Sequence, residues 1–127
     1  MDWQRLYDIA LSVARPRQLT EAAEAGGVGA AILTKDGNIY TGVCIDTACS
    51  MGFCAEHAAA AAMVTAGENR IAQAIAVGHK GNIMPPCGRC REFLSQLSDE
   101  NMDALVKVDE KTIVSLRDLL PYDWRIK

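Results

Sequence analysis

Two short segments of the chain carry residue types that can bind a metal ion and move a proton. The segment GFCAEHAAAAAM places Cys54 two residues before Glu56, at the predicted start of an alanine-rich helix. The segment PPCGRC places Cys87 and Cys90 at a turn that leads into a second helix. Helix N-termini favour the thiolate form of cysteine, because their free N–H groups face the sulfur. Three thiolates could therefore converge where the two helix starts face each other.

The number of ligands decides what such a site can do. A structural zinc ion is closed by four protein ligands, whereas a catalytic zinc ion has three and leaves one position for water. Cys54, Cys87 and Cys90 supply three ligands, and Glu56 lies on the same first turn as Cys54. Zinc lowers the pKa of a bound water to about 7, and a nearby carboxylate can carry its proton elsewhere. The pattern favours a zinc hydrolase with Glu56 as the proton carrier.

Other interpretations of the cysteines stay open at this level. Taken alone, the Cys87–Cys90 pair also fits half of a structural zinc site or a thioredoxin-like redox pair, although a redox pair is expected earlier in a βαβ arrangement. A zinc-stapled domain without enzymatic activity would need a fourth protein ligand, for which His57 is the nearest candidate. That arrangement would leave Glu56 without a role.

The composition is typical of a soluble globular protein with one domain, residues 1–127. The chain is 50% apolar and 23% charged, with a net charge of −3. The absence of a basic cluster argues against polymeric nucleic acid as a partner. We find no targeting signal and no apolar run near the ~20 residues that span a bilayer, and we expect no membrane contact and a cytoplasmic location. Five cysteines in a reducing compartment favour metal binding or catalysis over disulfides.

Helices and strands alternate along the chain and must position the chemical residues. Apolar residues recur at helical spacing from Trp3 to Val13, and Pro16 is expected to end that helix. We expect an α/β domain, a sandwich in which a mixed, mostly open sheet of about five strands lies between helical layers. The other predicted elements are strands at 28–33 and 38–45 around a turn, a helix at 54–66, a strand at 72–78, a helix opened by CGRC, and strands within DALVKVD and TIVS.

The two cysteine segments together resemble a known family. CAE followed by PCGRC resembles the zinc-dependent cytidine deaminase superfamily, whose signature pairs a His or Cys, any residue and Glu with a later Pro-Cys-x-x-Cys. The segments VGAAILTKDGNIYTGVCI, FCAEHAA, PPCGRCREFL and LRDLLP follow the order seen in small tetrameric cytidine deaminases. The late part of the chain looks particularly like blasticidin-S deaminase, which acts on a cytosine-bearing antibiotic. The resemblance extends from about residue 28 to the end.

This resemblance implies a fold, a reaction and a set of roles. The fold would be the three-layer α/β/α sandwich of the family, in a homotetramer. One Zn²⁺ per subunit would be bound by the three cysteines, and Glu56 would pass a proton to the ring nitrogen and then to the departing ammonia. The peptide at Ala55 would contact the pyrimidine, and the backbone near Pro85 and Pro86 would meet the amino group. The implied substrate is cytidine, deoxycytidine or an analogue; blasticidin S or another amino-heterocycle is the alternative.

The charge of three thiolates on zinc predicts further donors around the sulfurs. The net charge of such a site is −1, which weakens the metal as a Lewis acid. Relatives often carry arginine directly after the glutamate, where this chain has His57. Arg89 lies between the paired cysteines, as in blasticidin-S deaminase. We expect Arg89 to donate hydrogen bonds to the sulfur of Cys54 or Cys87, with His57 or Arg91 as a second donor.

The part of the chain that would hold a sugar departs from the nucleoside deaminases. Those enzymes carry Asn-x-Glu after the second strand, whereas CIDT places Cys44 and Asp46 there. A thiol is a weak hydrogen-bonding group, and aspartate is shorter than glutamate. The aromatic loop Tyr-Ser-x-Phe is replaced by EAAEAGG. Trp124 either compensates by covering the substrate from the C-terminal segment or only anchors the tail of the chain. The natural substrate is therefore less determined than the chemistry.

Overall fold

The computed structural model describes residues 2–125, which form a mixed sheet covered by helices. The helices are α1 (Trp3–Val13), α2 (Ala55–Thr65) and α3 (Gly88–Gln96), and the strands are β1 (Arg17–Thr20), β2 (Ala23–Thr34), β3 (Ile39–Thr47), β4 (Ile71–Gly78), β5 (Ile83–Met84), β6 (Leu105–Lys107) and β7 (Ile113–Ser115). The sheet has the order β1-β2-β4-β6-β7, with β3 also paired to β2 and β5 also paired to β4. All neighbouring strands are antiparallel except β4 and β6.

The sheet contains more strands than the five that were predicted. Strand β1 was missed because all four of its residues are exposed, so its sequence lacks the alternation of a half-buried strand. Strand β5 was missed because it has only two residues. Strand β2 also begins at Ala23 instead of residue 28. Its pairing with β3 shifts register between Ala25 and Gly29, and the strand continues on both sides of this irregularity. The class of fold, an α/β sandwich, is as predicted.

Helices lie on both faces of the sheet, which gives the three predicted layers. Successive residues of β2 alternate between the faces, as strand geometry requires. Leu6 and Ala10 of α1 pack on one face of the sheet, with Ala31, Leu33, Ile75 and Val77. Buried residues of α2 and α3 pack on the other face, namely Ala59, Ala60, Met63 and Leu94 against Ala30, Ile32, Ala74, Ala76 and Val106. Within residues 2–125 there is no helix whose length and apolarity would allow it to cross a membrane.

Small residues bring α2 unusually close to strand β3. A Cβ atom placed on Gly42 would lie 2.3 Å from the backbone nitrogen of Ala59 and 2.6 Å from Cβ of Ala58. The alanine run of α2 has little side-chain bulk, so its backbone can seat directly on the strand. This contact fixes the height of α2 above the sheet. It therefore also sets the position of Cys54 and Glu56 at the N-terminus of the helix.

Replacing Gly42 with alanine is expected to lift α2 away from the sheet. The new methyl group has no space, and overpacking of this kind costs about 1–3 kcal/mol of unfolding free energy. We expect a lower melting temperature together with weaker zinc binding, measured by thermal denaturation and by metal analysis of the purified protein. Gly27→Ala is the matched control, because its Cβ would meet only the Cys44 sulfur at an ordinary 3.9 Å. Equal melting temperatures for the two variants would contradict this account.

Candidate active site

The N-termini of α2 and α3 each begin at a cysteine. Cys54 is the residue that precedes α2, and Cys87 is the residue that precedes α3; both have extended backbone conformations. Cys90 lies one turn into α3 and is fully buried. Between β3 and α2 the chain folds back on itself, so that Phe53 pairs with Ile45 of β3 by two backbone hydrogen bonds of 2.9 and 3.0 Å. This bridge places Cys54 directly after the loop, at the start of α2.

The three cysteine sulfurs form a cluster of the size that a zinc ion needs. The Sγ atoms of Cys54 and Cys87 are 3.3 Å apart, and those of Cys87 and Cys90 are 3.4 Å apart. All three lie within 4.8 Å of one another. Tetrahedral zinc with Zn–S bonds of about 2.3 Å separates its sulfur ligands by roughly 3.8 Å, whereas a disulfide bond is about 2.05 Å long. The predicted ligands are therefore brought together as free thiols in an arrangement that fits zinc.

The donor set also favours a cation electrostatically. Burial raises the pKa of the Cys54 and Cys90 thiols above the ordinary value. Burial alone would raise the pKa of Cys87 as well, but backbone N–H groups of Cys90 and Arg89 donate to its sulfur and lower it. Three thiolates this close together, one of them fully buried, are costly unless a positive charge compensates them. A divalent cation supplies that charge, so the chemistry of the cluster fits the metal.

Glu56 is placed beside this cluster on the first turn of α2. Its side chain is 6% exposed, and burial raises the pKa of its carboxyl. The Cys90 thiol is close enough to hydrogen bond with the carboxyl and lowers this pKa in part. Carboxyl groups with raised pKa values are suited to exchanging protons near neutral pH. The arrangement of Glu56 and the three sulfurs is thus able to position a water molecule and move its proton.

Glu56 and the sulfurs of Cys54 and Cys87 open into one cavity of about 300 Å³, which we call the main cavity. Most of its wall is apolar, and the apolar wall includes Val28, Phe53, Ala55, Ala76, Met84 and Pro85. The charged groups among its described lining residues are Glu56, Asp46 and Arg89. An apolar cavity with few polar groups is typical of a small-molecule site and suits a flat heterocycle.

The structure places some of the predicted substrate-binding residues in the main cavity and others outside it. Cys44, Asp46 and Ala55 line the cavity, whereas Pro86 is buried behind it, in contact with a small apolar void that also borders Glu56. Pro85 takes the lining position instead. The Cys44 sulfur accepts a hydrogen bond of 3.3 Å from the Val28 N–H. The thiol is therefore already engaged with the protein.

Trp124 does not line the main cavity of its own chain. Its indole Nε1 donates to both carboxylate oxygens of Glu92 on α3, each at 3.1 Å, and the Arg125 guanidinium lies 5.2 Å from the ring centre. These contacts hold the ring on the outside of α3, where it is 67% exposed. These contacts match an anchor for the C-terminal segment, and the covering of the substrate by Trp124 stays a prediction.

Of the three side chains expected to donate to the sulfurs, His57 lies within hydrogen-bond distance of one sulfur. Among the described residues, the exposed Arg89 guanidinium makes no hydrogen bond to a sulfur; only its backbone N–H reaches Cys87. Arg91 instead donates from Nε to the Pro86 carbonyl at 2.8 Å. The Nδ1 atom of His57 lies 3.3 Å from the Cys90 sulfur. The donor role of the Arg89 side chain therefore stays a prediction, although the residue lines the main cavity.

His57 is not positioned as a fourth ligand. Within residues 2–125, the group of donor atoms close enough to share one metal ion consists of the three sulfurs and excludes the His57 imidazole. A closed structural zinc site would need that fourth protein atom. The geometry therefore disfavours the zinc-stapled domain.

The sequence analysis missed most of the apolar cavity wall. Phe53 and Val28 line the main cavity, as do Ala76 and Met84. They come from β2, β4, β5 and the segment before α2, and none has a side chain that signals chemistry. The one available signal was the position of Phe53 directly before Cys54. Their convergence depends on strand pairing, which single-sequence patterns do not reveal.

Three thiols in zinc-binding geometry, an adjacent buried carboxyl and an apolar cavity define the site of a zinc-dependent hydrolase. Residues 1–105 match the sequence model of the cytidine and deoxycytidylate deaminase zinc-binding region. A cytidine deaminase of Mycobacterium tuberculosis is 33% identical over 95 residues, which cover 74% of this chain and 70% of that protein. A cytidine deaminase of Sporosarcina psychrophila is 32% identical over 95 residues, 70% of each chain.

Solved structures give the same answer for the fold. The crystal structure of cytidine deaminase from M. tuberculosis superposes with a TM-score of 0.82 at 29% identity, covering 99% of both chains. That of the enzyme from Mycobacterium leprae gives a TM-score of 0.80 at 25% identity, covering 95% of this chain and 98% of the other. The chain belongs to the cytidine and deoxycytidylate deaminase zinc-binding family. It is a zinc-dependent aminohydrolase of the cytidine deaminase type.

Proposed function

We propose that this enzyme removes ammonia from a cytosine-type ring carried by a nucleoside or nucleoside analogue. Water is the second substrate, and the products are the uracil-type ring and ammonia. The observation that carries the proposal is the position of Glu56, buried beside three clustered sulfurs at an apolar cavity of heterocycle size. The names of the relatives, all cytidine deaminases, support the cytosine-type ring.

The residues divide the reaction between binding and proton transfer. Cys54, Cys87 and Cys90 would hold one Zn²⁺ per subunit, which when bound makes a water molecule acidic enough to act as a nucleophile near neutral pH. Glu56 takes one proton from that water and delivers it to the ring nitrogen. It then takes the second proton from the oxygen that has been added to the ring and delivers it to the amino group. The carbon–nitrogen bond breaks as ammonia leaves, and the oxygen of the water remains on the ring as a carbonyl. Burial of Glu56 keeps bulk water away from these transfers.

The walls of the main cavity orient the ring. Ala55 and Pro85 line the cavity and would present backbone groups to the ring edge. Val28 and Phe53 supply apolar surface for its faces. Phe53 thereby takes over part of the role of the aromatic loop that EAAEAGG lacks. Substrate binding would thus combine backbone recognition of the edge with apolar contact on the faces.

The sugar end of the cavity leaves room for more than one substrate. Because the Cys44 sulfur accepts the Val28 N–H, it is not a free partner for a ribose hydroxyl. Asp46 is exposed and lies at the edge of the cavity, so it is the available acceptor. This single carboxylate suits a nucleoside, and it equally suits a base with a positively charged substituent. For that reason blasticidin S or another amino-heterocycle is the second candidate substrate.

Replacing Asp46 with alanine is expected to raise KM for the preferred substrate about tenfold while kcat stays near the wild-type value. A hydrogen bond to a charged acceptor is worth about 1.5–3 kcal/mol, and this bond is far from the reacting atoms. Steady-state ammonia release over a range of substrate concentrations measures both constants. Glu24→Ala is the matched control, since Glu24 faces Asp46 in the strand register but lies outside the main cavity. A tenfold loss of kcat at constant KM would contradict the assigned role.

Ammonia release from a substrate panel tests the function as a whole. The zinc-loaded protein is incubated with cytidine, deoxycytidine, deoxycytidylate, blasticidin S and an aminated purine nucleoside, and the cytidine absorbance band is followed in parallel. Turnover of cytidine and deoxycytidine supports the nucleoside proposal. Turnover of blasticidin S with inert nucleosides would support the second candidate. A zinc-replete protein that releases ammonia from none of them would refute both.

We further propose that the enzyme is a cytoplasmic homotetramer whose cavities are completed across subunits. Trp124 supports this proposal, because its ring is held rigidly by Glu92 and yet remains exposed. The outer side of α2 presents Ala61, Ala62 and Val64 to solvent, a smooth surface suited to helix packing. The five cysteines are free thiols, and reducing compartments keep cysteines in this state. Sedimentation of a monomer at working concentrations would refute the tetramer.

A further inference from the structure

His57 connects the two helices that carry the cysteine cluster. It lies on α2, one residue after Glu56, and its Nδ1 atom is 3.3 Å from the sulfur of Cys90 on α3. Its ring stacks on Phe93 of α3, with ring centres 4.2 Å apart and an angle of 13° between the planes. The stack holds the imidazole ring in an orientation that brings Nδ1 next to the Cys90 sulfur. The contact is therefore held by packing as well as by the hydrogen bond.

Cys90 is the ligand with the greatest need for such a donor. Its sulfur is fully buried, whereas Cys54 is half-buried and Cys87 is exposed. Cys87 receives backbone N–H groups from the start of α3. Cys90 lies inside the helix, and its other polar neighbours are the sulfurs of Cys54 and Cys87 and the Glu56 carboxyl. Each of these neighbours adds negative charge when the site is ionised.

We propose that His57 donates its Nδ1–H to the Cys90 thiolate and thereby orients this ligand and moderates its charge. His57 is thus a positioning residue, which acts on the metal through Cys90. The stack on Phe93 holds the orientation of the ring, and a thiolate that faces Nδ1 favours the tautomer with the proton on Nδ1. A donor to a metal-bound sulfur reduces the charge that the sulfur passes to the metal. The inference rests on the zinc site of the proposed function.

In this assignment His57 takes the place of an arginine side chain as the hydrogen-bond donor to a cysteine sulfur. The Arg89 guanidinium lines the open cavity and Arg91 is engaged with the Pro86 carbonyl. Within the described residues, the imidazole of His57 is the side-chain nitrogen that reaches a sulfur. The side-chain hydrogen-bond donor is therefore His57, at the most deeply buried ligand.

A pair of variants separates the hydrogen bond from the ring stack. His57→Leu and His57→Asn both lose the stack on Phe93, but asparagine can place its Nδ2 donor close to the position of the histidine Nδ1. Zinc affinity is measured by chelator competition. The energy of the thiolate-to-metal charge-transfer band is measured in the cobalt-substituted protein. We expect His57→Leu to lower zinc affinity about 10–100-fold and to move the band to lower energy. His57→Asn should restore both toward the wild-type values.

The outcomes bear directly on the role of His57. Wild-type affinity and an unchanged band in His57→Leu would overturn the proposal, and so would an equal loss in His57→Asn. Should both variants fail to fold, the tautomer in the zinc-loaded wild-type protein decides: nitrogen NMR must find the proton on Nδ1, and a proton on Nε2 alone would overturn it. None of these measurements needs turnover. An enzyme inactive on every substrate would thus refute the proposed function and leave this inference standing.

Discussion

Replacing Glu56 with glutamine should reduce turnover by at least about 10²–10⁴-fold, the contribution typical of a general acid–base group. The amide keeps the shape of the side chain in its buried position but cannot take a proton from water or return one to the leaving group. The loss should appear in kcat, because the cavity walls that bind the ring are unchanged. Single-turnover ammonia release, which is independent of product release, measures it.

The same substitution should leave metal binding and folding intact. Glu56 is not one of the three clustered sulfur donors, so the zinc content should remain at about one ion per subunit. Burial raises the pKa of this carboxyl, so the ionised form opposes folding, and the neutral amide should preserve or raise the melting temperature of the metal-free protein. Glu110→Gln, at an exposed carboxylate outside the main cavity, is the control. Glutamine at position 56 with full turnover would remove the central element of the mechanism.

Replacing Cys90 with alanine is expected to abolish tight zinc binding, and with it turnover. The variant removes a fully buried ligand and leaves two sulfurs, too few to hold zinc in a catalytic site. The affinity loss should exceed the 10–100-fold that follows from removing an outer partner of a metal ligand. Metal analysis after dialysis against a chelator measures this loss, and ammonia release measures the consequence.

Zinc should also stabilise the wild-type protein in a way that this variant lacks. A ligand that binds only the folded state adds stability in proportion to the logarithm of its concentration over its dissociation constant. Adding a chelator should therefore lower the melting temperature of the wild-type protein and leave that of Cys90→Ala unchanged. Cys49→Ala is the control, since Cys49 is exposed and outside the sulfur cluster. A chelator effect of the same size in Cys90→Ala would show that the stabilising metal binds elsewhere.

The local patterns of the chain were sufficient for the helices and for the long strands. The apolar periodicity from Trp3 to Val13 corresponds to α1, and the alanine run corresponds to α2. Strands β2, β3 and β4 were found because each has several consecutive apolar residues or a clear turn between them. Strands β1 and β5 carry no such signal, since the first is fully exposed and the second is very short. Their pairing is decided by neighbouring strands and not by their own residues.

The sequence by itself determined which atoms could do the chemistry. Cys54 and Glu56 at one helix start, with Cys87 and Cys90 at another, carry the ligand types and the spacing that a zinc hydrolase requires. These constraints are local, because a helix N-terminus fixes the direction of residues one turn apart. Composition argued against polymeric nucleic acid as a partner, which stays a prediction, and the cysteine number favoured a metal over disulfides.

Only the tertiary structure decided how the surrounding groups are used. It placed Arg89 at the wall of the main cavity, His57 against Cys90 and Trp124 on the outside of α3. It also assembled the apolar cavity wall from four separate elements. These outcomes depend on contacts between residues that are distant in the chain. Strand pairing and packing decide which atoms each side chain can contact. A local sequence pattern indicates which residues can act and on which side of a helix or strand they lie. The distance between two such residues from different elements is set by the tertiary fold.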